Sequence, residues 1–373
     1  MGKVTITEDE LETMKIAILS MQKVINFGSV LQAYSLKEMI REITGNEPAF
    51  IDLDYSDCVP RVTPKPNDNK VEAYRANGII AGIKRKIFRK LRKNNDQKIV
   101  AFMNEELHID EKMNNDAYDY VVVGSDEVFN NTHNDKGLSL QLYGNVKQAK
   151  EVFTYAAAAG AARYEDIPAS EIDKVKKAMS NFTSVSVRDD QTYEYVAKLY
   201  DGPIEHHLDP VLVGPLSGRA HKAVNLKNYM IVYSYNERMR NADEINSIKK
   251  FAKEHGLKTV SIGGVQFWCD LYLSLTPFEA LDYFYHADYV VTDTFHGTVF
   301  SIINKATFAV FIRPSNEAKM RGLLSDLKLE DRILSSSQEL AEVLSKPIDY
   351  STTYEILEDE KKRSREYLGR KLS

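Results

Sequence analysis

The chain is short of cysteine: Cys58 and Cys269 are its two among 373 residues. They stand far apart, with no Cys or His at the spacings a zinc site uses. A disulfide framework and a zinc finger are therefore excluded, and two reduced, buried thiols are expected. No run of about 18 apolar residues occurs, so no segment reads as a membrane span. Residues 1–13 are polar and acidic, unlike a secretion signal, and read as a loose extension. Net positive charge is also missing. The 49 Lys and Arg against 54 Asp and Glu leave −5, which argues against a dedicated nucleic-acid binder. Neither GxGxxG nor GxxxxGK followed by Ser or Thr is present, so there is no dinucleotide fingerprint and no P-loop. No repeat of fixed period and no low-complexity tract occurs. The expectation is a soluble, cytoplasmic protein.

What is there is a regular alternation of short apolar runs and helical patterns. With 43% hydrophobic and 28% charged residues the balance is that of a globular protein. At ~100–200 residues per domain the length suggests two domains. Residues 15–19 read as a buried strand, residues 29–43 as a helix with apolar positions 36, 39, 40 and 43, and residues 47–53 as a strand. Residues 56–77, with Pro60, Pro64 and Pro66, read as loop. Further strands fall at 118–123, 152–156 and 184–187. Residues 206–213 read as an extended segment broken by Pro210. The alternation restarts with strands at 229–233, 258–262, 289–293 and 307–312. The fold class is α/β: two Rossmann-like β/α/β domains facing a cleft. The expected divisions are an N-terminal domain at 14–213, a linker at 214–228, a C-terminal domain at 229–335 and terminal helices at 336–373. Within the first domain residues 79–107 read as helical, and the basic helix at 79–93 puts seven basic residues in ten (Lys84 to Lys93). Its Ile80, Ile83, Ile87 and Leu91 follow helical spacing. It reads either as a solvated helix with that stripe on the core or as a surface for anionic membrane.

In open α/β sheets ligands bind beyond the carboxyl ends of the strands, and four such ends carry chemistry. Residues 289–293 run into Asp293-Thr294-Phe295-His296-Gly297-Thr298, which places His296 at a helix start beside unpaired N–H groups. Residues 121–127 end in Gly124-Ser125-Asp126-Glu127, where Asp126 can orient a sugar hydroxyl or cap a helix. Ser186-Val187-Arg188 presents a guanidinium suited to a carboxylate or phosphate. The first β-to-α turn is Asn26-Phe27-Gly28-Ser29. His206-His207-Leu208-Asp209-Pro210 has no further ligand at metal spacing and reads as a strand end closed by an Asp-Pro turn.

Taken in order, these segments resemble the polysaccharide pyruvyl transferase family. The matching stretches begin with Asn26-Phe27-Gly28-Ser29-Val30-Leu31-Gln32-Ala33-Tyr34 and Val123-Gly124-Ser125-Asp126-Glu127-Val128-Phe129-Asn130. Tyr155-Ala156-Ala157-Ala158, Ser186-Val187-Arg188, Leu208-Asp209-Pro210 and Asp293-Thr294-Phe295-His296-Gly297-Thr298 follow. The resemblance covers roughly residues 15–315. It implies a fold similar to GT-B glycosyltransferases. It also implies transfer of pyruvate from phosphoenolpyruvate onto two hydroxyls of a sugar, giving a cyclic ketal, as in exopolysaccharide and capsule synthesis. The acceptor class it implies is a polysaccharide or lipid-linked oligosaccharide precursor, with peripheral contact at the inner membrane face. Phosphoenolpyruvate is the donor substrate; no cofactor or metal is expected. The expected donor side is Arg188, Thr294, His296, Gly297, Thr298, Lys319 and Arg321. The expected acceptor side is Asn26, Phe27, Gly28, Ser125 and Asp126. His296 and Asp126 are the expected catalytic pair, His296 at the phosphate and in proton transfer, Asp126 at the acceptor hydroxyl. One departure stands out: some members carry Arg-Leu-His where this chain has Thr294-Phe295-His296. Arg313, Lys319 or Arg321 would then supply the missing charge.

Two other readings compete. A GT-B glycosyltransferase with a nucleotide-sugar donor is the first. Retaining members often carry two Glu separated by seven residues, a spacing absent between Glu237 and Glu330. A non-catalytic sugar-binding protein is the second, and the retained His296 and Arg188 speak against it.

Overall fold

Strands such as Ile16–Leu19 and Phe308–Phe311 are apolar and buried along their whole length, the mark of parallel sheets covered on both faces. The computed structural model describes residues 14–60, 79–130 and 137–373. The expected extension at 1–13 and most of the loop at 56–77 lie outside the described residues.

The first unit runs β1 (Ile16–Leu19), α1 (Phe27–Thr44), β2 (Ala49–Phe50), β3 (Cys58–Val59), α2 (Ile79–Glu106), β4 (Tyr118–Asp126), β5 (Leu138–Ser139) and β6 (Ala149–Ala157). It continues with α3 (Ile172–Met179), β7 (Phe182–Val187), α4 (Asp190–Ala197), β8 (Ile204–His206) and the short α5 (Pro210–Val213). Its six-stranded sheet has the order β2-β1-β4-β6-β7-β8, parallel throughout. β3 and β5 form a separate antiparallel pair.

The second unit runs β9 (Tyr229–Ser234), α6 (Ala242–Glu254), β10 (Lys258–Gly263), β11 (Leu271–Tyr272), α7 (Pro277–His286), β12 (Tyr289–Thr292) and α8 (Phe295–Ile303). β13 (Phe308–Phe311), α9 (Glu317–Asp326), β14 (Ile333–Leu334), α10 (Leu340–Ser345) and α11 (Ser351–Lys371) complete it. Its sheet order is β11-β10-β9-β12-β13-β14, again parallel. Each sheet therefore has a switch point, between β1 and β4 and between β9 and β12. These are the places where connections diverge and leave a crevice.

One apolar cluster runs through both units, joining Phe27, Val30 and Leu31 of α1 and Leu212 of α5 to Tyr233, Phe284 and Phe300. The units are thus packed together at their base. Three expectations need correction. Residues 210–213 are helical rather than extended: Pro210 takes the first helical position and the Asp209 side chain accepts from the Val211 amide at 3.0 Å. The helix expected over 79–107 is observed as Ile79–Glu106, but the stripe expected on the core is not the one buried. Its core-facing residues are Phe88, Asn95, Ile99 and Phe102, whereas Ile83 and Ile87 are exposed. Cys269 is buried and Cys58 half-buried, and both are free.

The last helix returns to the first sheet. Tyr367 donates to the carbonyl of Thr154 at 2.8 Å, and its ring lies 4.6 Å from that of His207. His207 is buried, with Nδ1 2.8 Å from Ser186 Oγ. Burial, then the Arg363 and Arg370 charges on α11, push its pKa down to about 4. Unfolded, the imidazole takes its proton near pH 6.5; folded, it resists until about pH 4. Stability is full above the unfolded value and is lost as the pH falls through this window, by up to about 3 kcal/mol. Urea denaturation at neutral pH and near pH 4 should show this loss, and His207→Gln should flatten it. An unchanged slope in the variant would overturn the assignment.

Candidate active site

The turn after β12 is built by its own hydroxyls. Thr294 caps α8, its Oγ1 accepting from the Gly297 amide at 3.0 Å. Thr298 Oγ1 donates to the Thr294 carbonyl at 3.2 Å. Thr292 donates to the Tyr233 carbonyl at 2.8 Å, which ties the turn to the end of β9. Gly297 sits where a side chain has no room: a Cβ would lie 2.1 Å from Thr292 Oγ1. The side chains of Thr294 and Thr298 are thus engaged within the turn. By helix geometry the Phe295 and His296 amides lack intrahelical partners.

His296 reaches out of this turn to the first unit. Its ring lies against Gly28 at the start of α1, where a Cβ would stand 2.1 Å from Nδ1. Its Nε2 is 3.5 Å from Asp209 Oδ2, an ion-pair distance without hydrogen-bond geometry, and so has no hydrogen-bond partner. Asp209 is fully buried and also accepts from Arg188 Nη1 at 3.0 Å. Arg188 in turn lies over the Phe295 ring, 4.2 Å from its centroid, with only 2% of its side chain exposed and its Nε unpartnered. Burial would raise the Asp209 pKa; the His296 interaction and the Arg188 charge outweigh it and hold the carboxyl below its ordinary value. Burial would lower the Arg188 pKa, and Asp209 above all holds it up.

The first unit contributes a second set. Asn26 caps α1 by accepting from the Ser29 amide at 2.8 Å. Ser29 Oγ donates to Asp126 Oδ2 at 2.7 Å. Asp126 sits at φ 73, a left-handed conformation that Asp tolerates better than most residues, and little of it is exposed. Consecutive residues of α1 therefore touch the two expected catalytic groups, Gly28 meeting His296 and Ser29 meeting Asp126. Ser125 and Phe27 are fully buried, and the Ser125 hydroxyl donates to the Ala156 carbonyl at 2.9 Å.

The remaining cations divide. Lys319 crosses the interface to Glu127 Oε1 at 2.5 Å and lies 6.0 Å from the Phe295 ring centroid. Arg313 is held by Glu244, at 2.6 and 2.7 Å, and by Asp293 at 2.9 Å. Arg321 is 55% exposed and pairs with Glu317 along its own helix. Sequence reasoning did not single out Arg238, whose Nε is 3.5 Å from Asp293 Oδ2, and it read Asp209 as a turn residue. The Leu208-Asp209-Pro210 motif was the signal for Asp209; Arg238 had none. Among the described residues no three His, Cys, Asp or Glu cluster to hold a metal. Two cavities flank the 20–27 turn. One of about 350 Å³ is lined by Asn26, Phe27, Arg92, Tyr233 and Tyr235; one of about 440 Å³ by Lys23, Asp52, Tyr55 and Asn130 among others.

The arrangement has buried, charge-balanced cations with unused donors next to carboxylates; neither cavity is lined by Arg188, Asp209 or His296. It suits an anionic ligand and proton transfer. A family model described as polysaccharide pyruvyl transferase matches residues 26–315. No curated protein matches the chain. Among solved structures, the UDP-GlcNAc 2-epimerase from Methanocaldococcus jannaschii is similar with TM-score 0.51 and 11% identity, over 95% of this chain and 99% of that one. The glycotransferase of kitacinnamycin is similar with TM-score 0.48 and 14% identity, over 97% and 100%. The chain shares the GT-B fold with the first of these.

The Gly28–His296 contact can be tested without any substrate. Gly28→Ala should lower stability by about 1–3 kcal/mol through overpacking. In a His296→Ala background the same substitution should be neutral or stabilising, because a helix favours Ala over Gly. Equal costs in both backgrounds, measured by thermal denaturation, would refute the contact.

Proposed function

The chain belongs to the polysaccharide pyruvyl transferase family, and we propose that it moves pyruvate from phosphoenolpyruvate onto two hydroxyls of one sugar residue. The observation that carries this reading is the buried Arg188–Asp209–His296 cluster, which joins residues that follow β7, β8 and β12. Phosphoenolpyruvate carries about three negative charges and needs cations held in place before it arrives. Arg188 and His296 have buried nitrogens without partners and are assigned to its carboxylate and phosphate. Lys319 joins them when the donor displaces Glu127. Asp209 is the positioning residue for both.

The chemistry follows from the donor. A proton adds to the methylene carbon, and one sugar oxygen bonds to the adjacent carbon. The bond from that carbon to the phosphate oxygen then breaks. The second sugar oxygen takes the vacated place and closes the ketal. Of the two hydroxyl protons, one ends on the new methyl group and the other on phosphate. Asp126, steadied by Ser29, is assigned to the acceptor hydroxyl, and His296 to the proton exchanged with donor and phosphate. The acceptor is a sugar of a polysaccharide or of its lipid-linked precursor. Use of phosphoenolpyruvate, a metabolite of the cytoplasm, supports a cytoplasmic location for the reaction.

The test is phosphate release from phosphoenolpyruvate across galactose-, mannose- and glucose-type acceptors, with mass spectrometry of the products. The expected product gains one pyruvate less one water. His296→Asn should lower kcat by about 10²–10⁴-fold. Thermal stabilisation by a nucleoside diphosphate, with phosphoenolpyruvate inert, would replace this reading with a nucleotide-sugar one.

A further inference from the structure

The N-terminal half of α2 stands outside the chemistry described above. Seven of the ten residues 84–93 are Lys or Arg, and no acidic residue occurs between 79 and 95. Its inner face is fixed to the second unit. Phe88 is buried and packs against Phe267 and Tyr272, with ring centroids at 6.2 and 5.9 Å. Arg85 and Arg89 lie over the Phe267 ring, 5.7 and 6.0 Å from its centroid. The outer face is different. Ile83 and Ile87, one turn apart, are 55% and 52% exposed, and exposed Lys86 and Lys90 lie on the same side. No ion pair engages Lys86, Lys90 or Lys93 among the described residues. A helix that hides an aromatic residue and presents two aliphatic ones among free lysines has a second surface to satisfy.

We propose that this half-helix docks the protein on an anionic bilayer. Ile83 and Ile87 enter the boundary between headgroups and acyl chains, and the lysines meet lipid phosphates. Charge complementarity alone would admit any acidic polymer. The exposed isoleucines decide for the bilayer, since a polyanion has no use for them. No helix of the described residues is long and apolar enough to cross a membrane, so this contact lies in the membrane plane. It also has a geometric consequence. Arg92, Asn95 and Ile99 of the same helix line the cavity of about 350 Å³. Arg92 follows Ile87 by about 7.5 Å along the axis, and in a helix lying in the membrane plane that distance runs parallel to the bilayer. A docked α2 therefore places the wall of that cavity beside the membrane surface.

The test is co-sedimentation with vesicles of phosphatidylcholine containing phosphatidylglycerol, and with phosphatidylcholine alone. The full chain should bind the anionic vesicles, bind the neutral ones weakly, and lose binding as salt rises. The double variant Ile83→Ser with Ile87→Ser should lose roughly tenfold or more in affinity, as should Lys86→Glu with Lys90→Glu. Both should keep the wild-type melting temperature, because all four side chains are exposed. Absence of wild-type binding to anionic vesicles would overturn the proposal. So would an isoleucine variant that binds like wild type, or heparin binding as strong as vesicle binding and indifferent to the isoleucines. Vesicle binding is read without pyruvyl transfer, so its failure would leave the assigned reaction untouched.

Discussion

A carboxylate with no exposure to water is tolerated only if charges and hydrogen bonds surround it. Asp209 is that carboxylate here, and its partners come from two sheets. The Val211 amide and Arg188 belong to the first unit; His296 belongs to the second. Packing the two units together adds His296 to a carboxylate already paired with Arg188 in its own unit, so one charged cluster spans the cleft. Removing one partner of such a cluster costs about 3–5 kcal/mol. The orientation of Arg188 and His296 is therefore fixed before any ligand arrives, which is the preorganisation that transition-state stabilisation requires.

The rest of the cleft shows the same balance. Lys319 meets Glu127, Arg313 meets Glu244 and Asp293, and Arg238 lies near Asp293. Each cation near the expected anion site already has a carboxylate in reach. Beyond the unbonded nitrogens of Arg188 and His296, an incoming anion gains a further cation only by exchange with its carboxylate partner. This favours a ligand with several charges, which can replace more than one pair at once.

Much of the architecture was legible from residue order. Uniformly apolar strands such as residues 16–19 and 229–233 announce parallel sheets, and small polar turns at 124–126 and 293–298 mark their carboxyl ends. The side chains gathered there were legible as types, not as partners. Nothing local says that Gly28 must be small for a ring 268 positions away in sequence, or that the caps Thr294 and Asn26 are already engaged. Asp209 was hidden by its second role, since an Asp before Pro is explained by a turn alone. Of the two readings of the basic helix, the one that put Ile83 and Ile87 on the core fails because helical spacing tells that a face is apolar, not which positions find a neighbour. Phe88, next to Ile87 in sequence, takes the buried place.

α11 carries a mechanical consequence. Near its start Tyr354 donates to the carbonyls of Ile302 and Ile303, and Thr353 to that of Leu327, all in the second unit. Near its end Tyr367 and Arg370 bind Thr154 and Glu205 in the first. A helix of 21 residues is a rod of about 30 Å, and this one is pinned at both ends to the bodies on either side of the cleft. It acts as a splint. Wide clamshell opening would have to tear one set of pins, so the stiff response of the molecule lies across the cleft and its compliance lies in the loops that rim it.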